Sequence, residues 1–249
     1  MKSLFSKKHT CLIVGSNGAI GSKCIDSLSK IGLNIFSLDK YPPKKQKKNI
    51  KFILCDITKI DDVIKASKKI KNLDSIIFTA GINYDDYLIN TNWKKYDELM
   101  SVNLKGAFHI GSIFGKHLKS KKSGSFVFIS STAALTGEAG ATVYSASKGG
   151  LISFVESFAA EMTDYNVRVN AICPGNIKSP MLKDVSKMIS KRINKSSSEI
   201  YNEMKVSGAA KKLVEVEDVV NLIIFLISDN SKSITGSSIK IDNGATLYK

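Results

Sequence analysis

Short apolar runs of strand type alternate with longer amphipathic stretches, and this alternation limits the fold more than any other feature of the chain. Residues 11–14, 34–38, 52–55, 75–79, 125–130, 168–173 and 238–241 read as strands. Helices are expected over 20–31, 61–70, 93–118, 144–162 and 217–227. Helical crossovers between successive strands force a parallel sheet covered on both faces. The expected fold class is α/β: one doubly wound domain over residues 1–249, its seven-stranded parallel sheet flanked by helices on both faces. Residues 178–212, polar and rich in Ser and Lys, break the alternation. They read as an inserted segment, a substrate-binding lid at the strand ends. No linker, repeat or shift in composition divides the chain.

Composition narrows the class further. With 249 residues, 43% hydrophobic and 24% charged, the chain can bury a substantial core and is neither disordered nor collagen-like. Its longest apolar runs, such as 222–227, fall far short of the ~18 residues of a membrane span. The start carries no leader pattern, so a soluble cytoplasmic protein without a membrane partner is expected. Cys11, Cys24, Cys55 and Cys173 are far apart and form no Cys-x-x-Cys. They read as core cysteines in a reducing compartment, with no metal site. His9, His109 and His117 read as structural.

The net charge of +15 raises the question of nucleic acid. Yet Arg168 and Arg192 are the only arginines, and the lysines are dispersed. Base and phosphate recognition favours the forked arginine head, so the charge reads as a solvated lysine surface and no nucleic-acid partner is expected.

The first strand runs into Gly15-Ser16-Asn17-Gly18-Ala19-Ile20-Gly21, which opens the first helix. Such a turn lets backbone N–H groups approach a pyrophosphate at the positive helix N-terminus. Asp39 ends the second strand 18 residues past Gly21, where a carboxylate can bind the adenosine ribose diol. That carboxylate repels a 2′-phosphate, which favours NAD over NADP. Lys40, Lys44, Lys45, Lys47 and Lys48 could neutralise the same phosphate and keep NADP open.

Tyr144-Ser-Ala-Ser-Lys148 places a phenol and an ammonium four residues apart, on one face of a helix. Tyrosine titrates near pH 10 in water, and a nearby cation favours its phenolate. Proton exchange with an alcohol or carbonyl oxygen needs such a group. The spacing recurs at Tyr41/Lys45, followed by Pro42 and Pro43, and at Tyr201/Lys205, with Met188 upstream of it. Only Tyr144 has a serine 13 residues before it, Ser131, at a strand end.

These residues together resemble the short-chain dehydrogenase/reductase family, in its single-domain branch that includes 3-oxoacyl-carrier-protein reductases. The likeness runs through the glycine turn, Asp39, Cys55-Asp56-Ile57, Ala80-Gly81, Val102-Asn103, Ser131, Tyr144, Lys148, Arg168-Val-Asn170, Pro174-Gly175 and the closing 234–244. The resemblance implies a Rossmann domain in which Tyr144 is the general acid/base and Ser131 holds the substrate oxygen. Lys148 would bind the nicotinamide ribose and depress the Tyr144 pKa, with Asn103 supporting a water-linked proton path. Asp56 would meet the adenine with Ile57 beside it, Ala80, Gly81, Pro174 and Gly175 would border the cofactor, and Ile177 would give the backbone contact to the nicotinamide carboxamide. Ser179 stands where the family has a threonine. Ala19 replaces a glycine, and Phe78-Thr79-Ala80-Gly81 lacks the amides that usually tie strands there; these departures bear on cofactor affinity and local stability and leave the catalytic set untouched.

The leading function is an NAD(P)-dependent interconversion of a secondary alcohol and a ketone. One alternative is an NADPH-dependent 3-oxoacyl-carrier-protein reductase, whose acidic carrier Lys119, Lys121 and Lys122 could attract. Another is a dinucleotide-binding sensor or scaffold without turnover. The small residues Gly106, Ala107, Gly111 and Gly115, with those of 144–162, are expected to pair chains into a homotetramer.

Overall fold

In the computed structural model, residues 4–5, 8–45, 47 and 50–247 are described. The chain begins with β1 (Thr10–Val14), α1 (Ala19–Lys30), β2 (Asn34–Asp39), β3 (Ile50–Leu54), α2 (Ile60–Ser67) and β4 (Ser75–Phe78). It continues through α3 (Trp93–Met100), α4 (Gly106–Lys121), β5 (Gly124–Ile129), α5 (Thr142–Met162) and β6 (Val167–Pro174). Next come α6 (Pro180–Ile193), α7 (Ser197–Val206), α8 (Val216–Ile227) and β7 (Ser238–Ile241).

All strand pairs are parallel and the order is β3-β2-β1-β4-β5-β6-β7, the doubly wound sheet read from the alternation. β1 is fully buried because its side chains alternate between two cores. Leu12 and Val14 pack toward Phe78, Phe128 and the α2, α4 and α5 side. Cys11 and Ile13 pack toward Val127, Ile172 and the α1 and α8 side. The winding reverses between β1 and β4, and their carboxyl ends open a crevice at this switch point.

Three features differ from the pattern-based expectation. The helix expected over 93–118 is interrupted by a π-helical turn at Ser101–Lys105, which carries the fully buried Asn103. One widened turn re-aims the side chains that follow it, and such turns favour functional sites. Segment 178–212 is largely helical: Ser179 caps α6 ahead of Pro180, and Ser196 with Glu199 forms a capping box on α7. Finally, the small residues of α4 are inside the chain. A side chain at Gly106 would meet Ile57, at Gly111 Phe154, and at Gly115 Phe158.

Candidate active site

The glycine turn is built for close approach. Gly15 has φ +78°, and a Cβ there would stand 2.6 Å from the Ala80 Cα and N. A Cβ at Gly21 would collide with the Gly15 carbonyl oxygen. Only glycine fits at either place, one for its conformation and both for space. Gly18 precedes α1 with no side-chain cap, so among the described residues no carboxylate or hydroxyl occupies the first-turn N–H groups of Ala19, Ile20 and Gly21. The cradle fits a pyrophosphate, and Ala19 sits in regular helix.

Asp39 turns its carboxylate back to this loop. Its two oxygens accept the N–H groups of Asn17 at 2.9 Å and Tyr41 at 3.2 Å, and each keeps a lone pair for a ribose diol. Asn17 also donates to the Tyr41 carbonyl at 2.7 Å. Lys40 Nζ lies 3.9 Å from the Asp56 carboxylate. Against the cost of burial, the Thr58 hydroxyl and N–H and the Lys40 charge hold Asp56 below the ordinary carboxylate range. Ile57 is buried against Gly106, and its carbonyl bonds His109 Nδ1 at 2.8 Å. Lys44, Lys45 and Lys47 line a cavity of about 450 Å³ together with Ser16 and Asn17, so the lysine loop does reach the turn. Lys48 lies outside the described residues.

After β4 a strand tie is made by Thr79. Its hydroxyl is shared between the Val14 carbonyl at 2.8 Å and the Gly15 carbonyl at 3.1 Å, tying β4 to the end of β1. At Gly81 a Cβ would stand 3.3 Å from Lys148 Nζ and 3.5 Å from Asn103 Oδ1. Asn103 is fully satisfied: Nδ2 donates to the Ile82 carbonyl at 3.0 Å and Ser147 Oγ at 3.1 Å, and Oδ1 accepts the Ile82 N–H at 2.8 Å. It thus ties the strand-end loop to α5.

Ser131 follows β5; its hydroxyl accepts the Ala133 N–H at 3.2 Å and lines the same cavity as the Tyr144 phenol. Burial pushes the phenol pKa up; the nearby Ser131 hydroxyl opposes this and the Glu138 charge adds to it. The net shift is upward, opposite to the depression by Lys148 that the resemblance implied. Lys148 itself is buried, which lowers its pKa to about 8, and Nζ donates to the Ile129 carbonyl at 2.9 Å, 5.8 Å from the Tyr144 ring centre. Ser130 Oγ donates to the Lys148 carbonyl at 2.9 Å and fixes α5 on β5. Pro174 ends β6, Gly175 abuts Asp242, Ile177 bridges Val214, and Ser179 accepts the Leu182 N–H at 3.4 Å.

One cavity of about 180 Å³ gathers Ile20 of the glycine turn, Gly81, Ser131, Tyr144, Lys148 and Ser179. Ala80 is packed against Gly15, outside this lining, while Asp39, Lys40 and Asp56 lie toward the β2–β3 edge. Ser147, Asp85 and Glu138 were not singled out from sequence. Ser147 had a signal, since it is on the Tyr144 helix three residues on; the other two sit in loops without periodicity. Lys119 and Lys121 close α4 ahead of β5, and Lys121 is held by Asp74 and the Leu73 carbonyl. The cavity is at the other end of β5, a six-residue strand, about 20 Å away.

A phosphate cradle at the switch point, with a phenol, a hydroxyl and an ammonium in the adjoining cavity, defines a dinucleotide-dependent oxidoreductase class. Comparison with known proteins agrees. Residues 19–246 match the family model described as enoyl-(acyl carrier protein) reductase. A 3-oxoacyl-(acyl-carrier-protein) reductase of Thermotoga maritima is 30% identical over 250 aligned residues, covering 95% of this chain and 97% of that protein. The structure of ElxO with NADP bound is 25% identical, with a TM-score of 0.85 over 97% of this chain and 100% of that one. A short-chain dehydrogenase from Leptospira borgpetersenii with bound NAD⁺ shares the fold at 23% identity, TM-score 0.85, covering 96% and 93%. The chain belongs to the short-chain dehydrogenase/reductase family and is an NAD(P)-dependent oxidoreductase.

Proposed function

We propose that this protein interconverts a ketone and a secondary alcohol, with Tyr144 as general acid/base. The observation that carries the reading is the Ser131–Tyr144 hydroxyl pair inside the cavity that also receives Ile20 of the glycine turn. NAD(P), when bound, supplies or accepts the hydride. Gly15, Asn17, Gly18, Ala19, Ile20 and Gly21 would hold its pyrophosphate, Asp39 and Lys40 its adenosine ribose, and Asp56 and Ile57 its adenine side. Ala80, Gly81, Lys148, Pro174, Gly175, Ile177 and Ser179 would border the nicotinamide half. Ser131 fixes the substrate oxygen, and Tyr144, kept protonated by burial, donates to it in the reductive direction. Lys148 holds positive charge below it, and Asn103 supports the proton route. Asp39 supports NAD as the preferred cofactor; the lysine loop beside Asn17 and the NADP-bound relative support NADP.

The substrate side is apolar, lined by Ile82, Met181, Leu182, Val185, Ile189 and Met204. Segment 178–212 supplies most of this wall and acts as the substrate-binding lid of a single domain. A carbonyl on an alkyl chain suits it, and a 3-oxoacyl thioester is a second reading favoured by the named relative. An acyl carrier would then meet the exposed Lys183, Lys187 and Lys191 of α6. A cytoplasmic homotetramer completes the proposal.

Turnover of acetoacetyl-N-acetylcysteamine and of simple aliphatic ketones with NADH and NADPH tests the reaction. Tyr144→Phe should lower kcat by about two orders of magnitude or more and leave cofactor affinity little changed. Near-normal turnover by that variant would remove Tyr144 from the mechanism.

A further inference from the structure

Two of the chain's 37 basic residues are arginines, and one of them, Arg192, faces inward from α6 while Lys187 and Lys191 face solvent. Its guanidinium is used on two edges and one face. Nε donates to Asp85 Oδ1 at 2.7 Å, and Nη2 donates to the Ala139 carbonyl at 3.0 Å. The plane lies 4.7 Å from the Tyr87 ring centre. The ion-paired side chains are 10% and 6% exposed, so solvent and salt screen them little.

Gly140 makes the room. It has φ +86°, and a Cβ there would stand 2.5 Å from Arg192 Cζ. Its carbonyl accepts the Asp86 N–H at 2.9 Å. Three segments therefore converge on one side chain: α6, the loop 83–87 after β4, and the turn that leads into α5. Each lines the reaction cavity, through Val185 and Ile189, Asp85, and Glu138 and Ala141 respectively. A lysine could supply the charge but neither the second donor edge nor the flat face.

We propose that Arg192 is a positioning residue, a latch that holds α6 against Asp85 and the Gly140 turn and so fixes the substrate wall beside Tyr144. The idea rests on the proposed site, in that this cavity is taken to receive the substrate. The latch acts on the substrate half alone, because the Arg192 hydrogen bonds run to Asp85 and Ala139 and not to the glycine turn or Asp39.

Two variants release the latch by different routes. Arg192→Lys keeps the charge and loses the fork, whereas Gly140→Ala keeps every charge and fills the space. Hydrogen exchange on the whole protein should show amides of 83–87, 138–141 and α6 exchanging roughly tenfold faster in both. NADH affinity, read by fluorescence titration, should stay within about twofold while KM for acetoacetyl-N-acetylcysteamine rises roughly tenfold and kcat changes less. Methylguanidine should restore the KM of Arg192→Ala. Unchanged exchange in both variants overturns the latch. Faster exchange with an unaltered KM, or no rescue by methylguanidine, overturns the positioning role. Should the wild type leave the thioester untouched, the substrate reading fails, and the exchange measurement still decides for or against the latch.

Discussion

Lys148 donates from Nζ to the Ile129 carbonyl at 2.9 Å, anchoring the buried ammonium of α5 on the last residue of β5. Burial alone would disfavour that charge, and the carbonyl dipole offsets part of the cost. The same cation stands beside Gly81 and under the Tyr144 ring, so one hydrogen bond fixes its place relative to both halves of the site.

This buried lysine predicts a pH dependence of stability. Its folded pKa of about 8 lies below the ordinary 10.5, so between these values the unfolded chain holds a proton that the folded chain has lost. Stability therefore rises with pH through that window, and the full cost of the charge is present below it. The raised Tyr144 pKa acts in the opposite sense above its ordinary value of 10.0, leaving the lower part of the window to Lys148. Relative to Lys148→Met, the wild type should gain on the order of 2 kcal/mol across it. Parallel urea-unfolding curves for the two proteins would contradict this.

Thr79→Val tests the strand tie. The hydroxyl bound to Val14 and Gly15 disappears with little change of shape. Unfolding free energy should fall by about 1–2 kcal/mol, and NADH should bind more weakly because the Gly15 carbonyl loses its support. A variant equal to wild type in both denaturant midpoint and titration would show the tie to be dispensable.

Asp39 should set the cofactor ratio. The wild type is expected to show a lower KM for NAD(H) than for NADP(H), and Asp39→Asn should narrow or reverse the ratio. Asparagine keeps an acceptor for the Asn17 N–H, so the turn is less disturbed than by alanine. Wild-type preference for NADP(H) would instead give the 2′-site to Lys40 and the lysine loop.

Assembly is expected to bury the outer faces of α4 and α5. Phe108 is 50% exposed and its ring lies 4.6 Å from that of Phe154, an aromatic pair bridging the two helices near the surface. Light scattering at physiological salt should give a tetramer mass, with the repulsion of +15 per chain screened beyond ~8 Å. A monomer with full activity would end this proposal.

Much of the site could be read before folding was considered, because local periods encode it. Alternating apolar runs specified the strands, and the glycines at 15 and 21 marked a turn that no side chain would fit. The spacing of Tyr144 and Lys148 put both groups on one helical face, and Ser131 at a strand end fell in the same crevice. These features depend on backbone geometry a few residues long, so the sequence carries them directly.

Tertiary structure decided what depends on partners remote in the chain. Arg192 and Asp85 are 107 residues apart and meet only because the sheet winds the loop after β4 beneath α6. Thr79 serves as a tie only because β4 lies beside β1, 64 and 65 residues away along the chain. The direction of β5 put Lys119 and Lys121 at the end away from the cavity, and rings from α5 filled the space left by Gly111 and Gly115. Local sequence fixes which way a backbone segment turns, whereas the winding of the sheet chooses which distant groups share a volume. Burial in that volume then set the opposing pKa shifts of Tyr144 and Lys148.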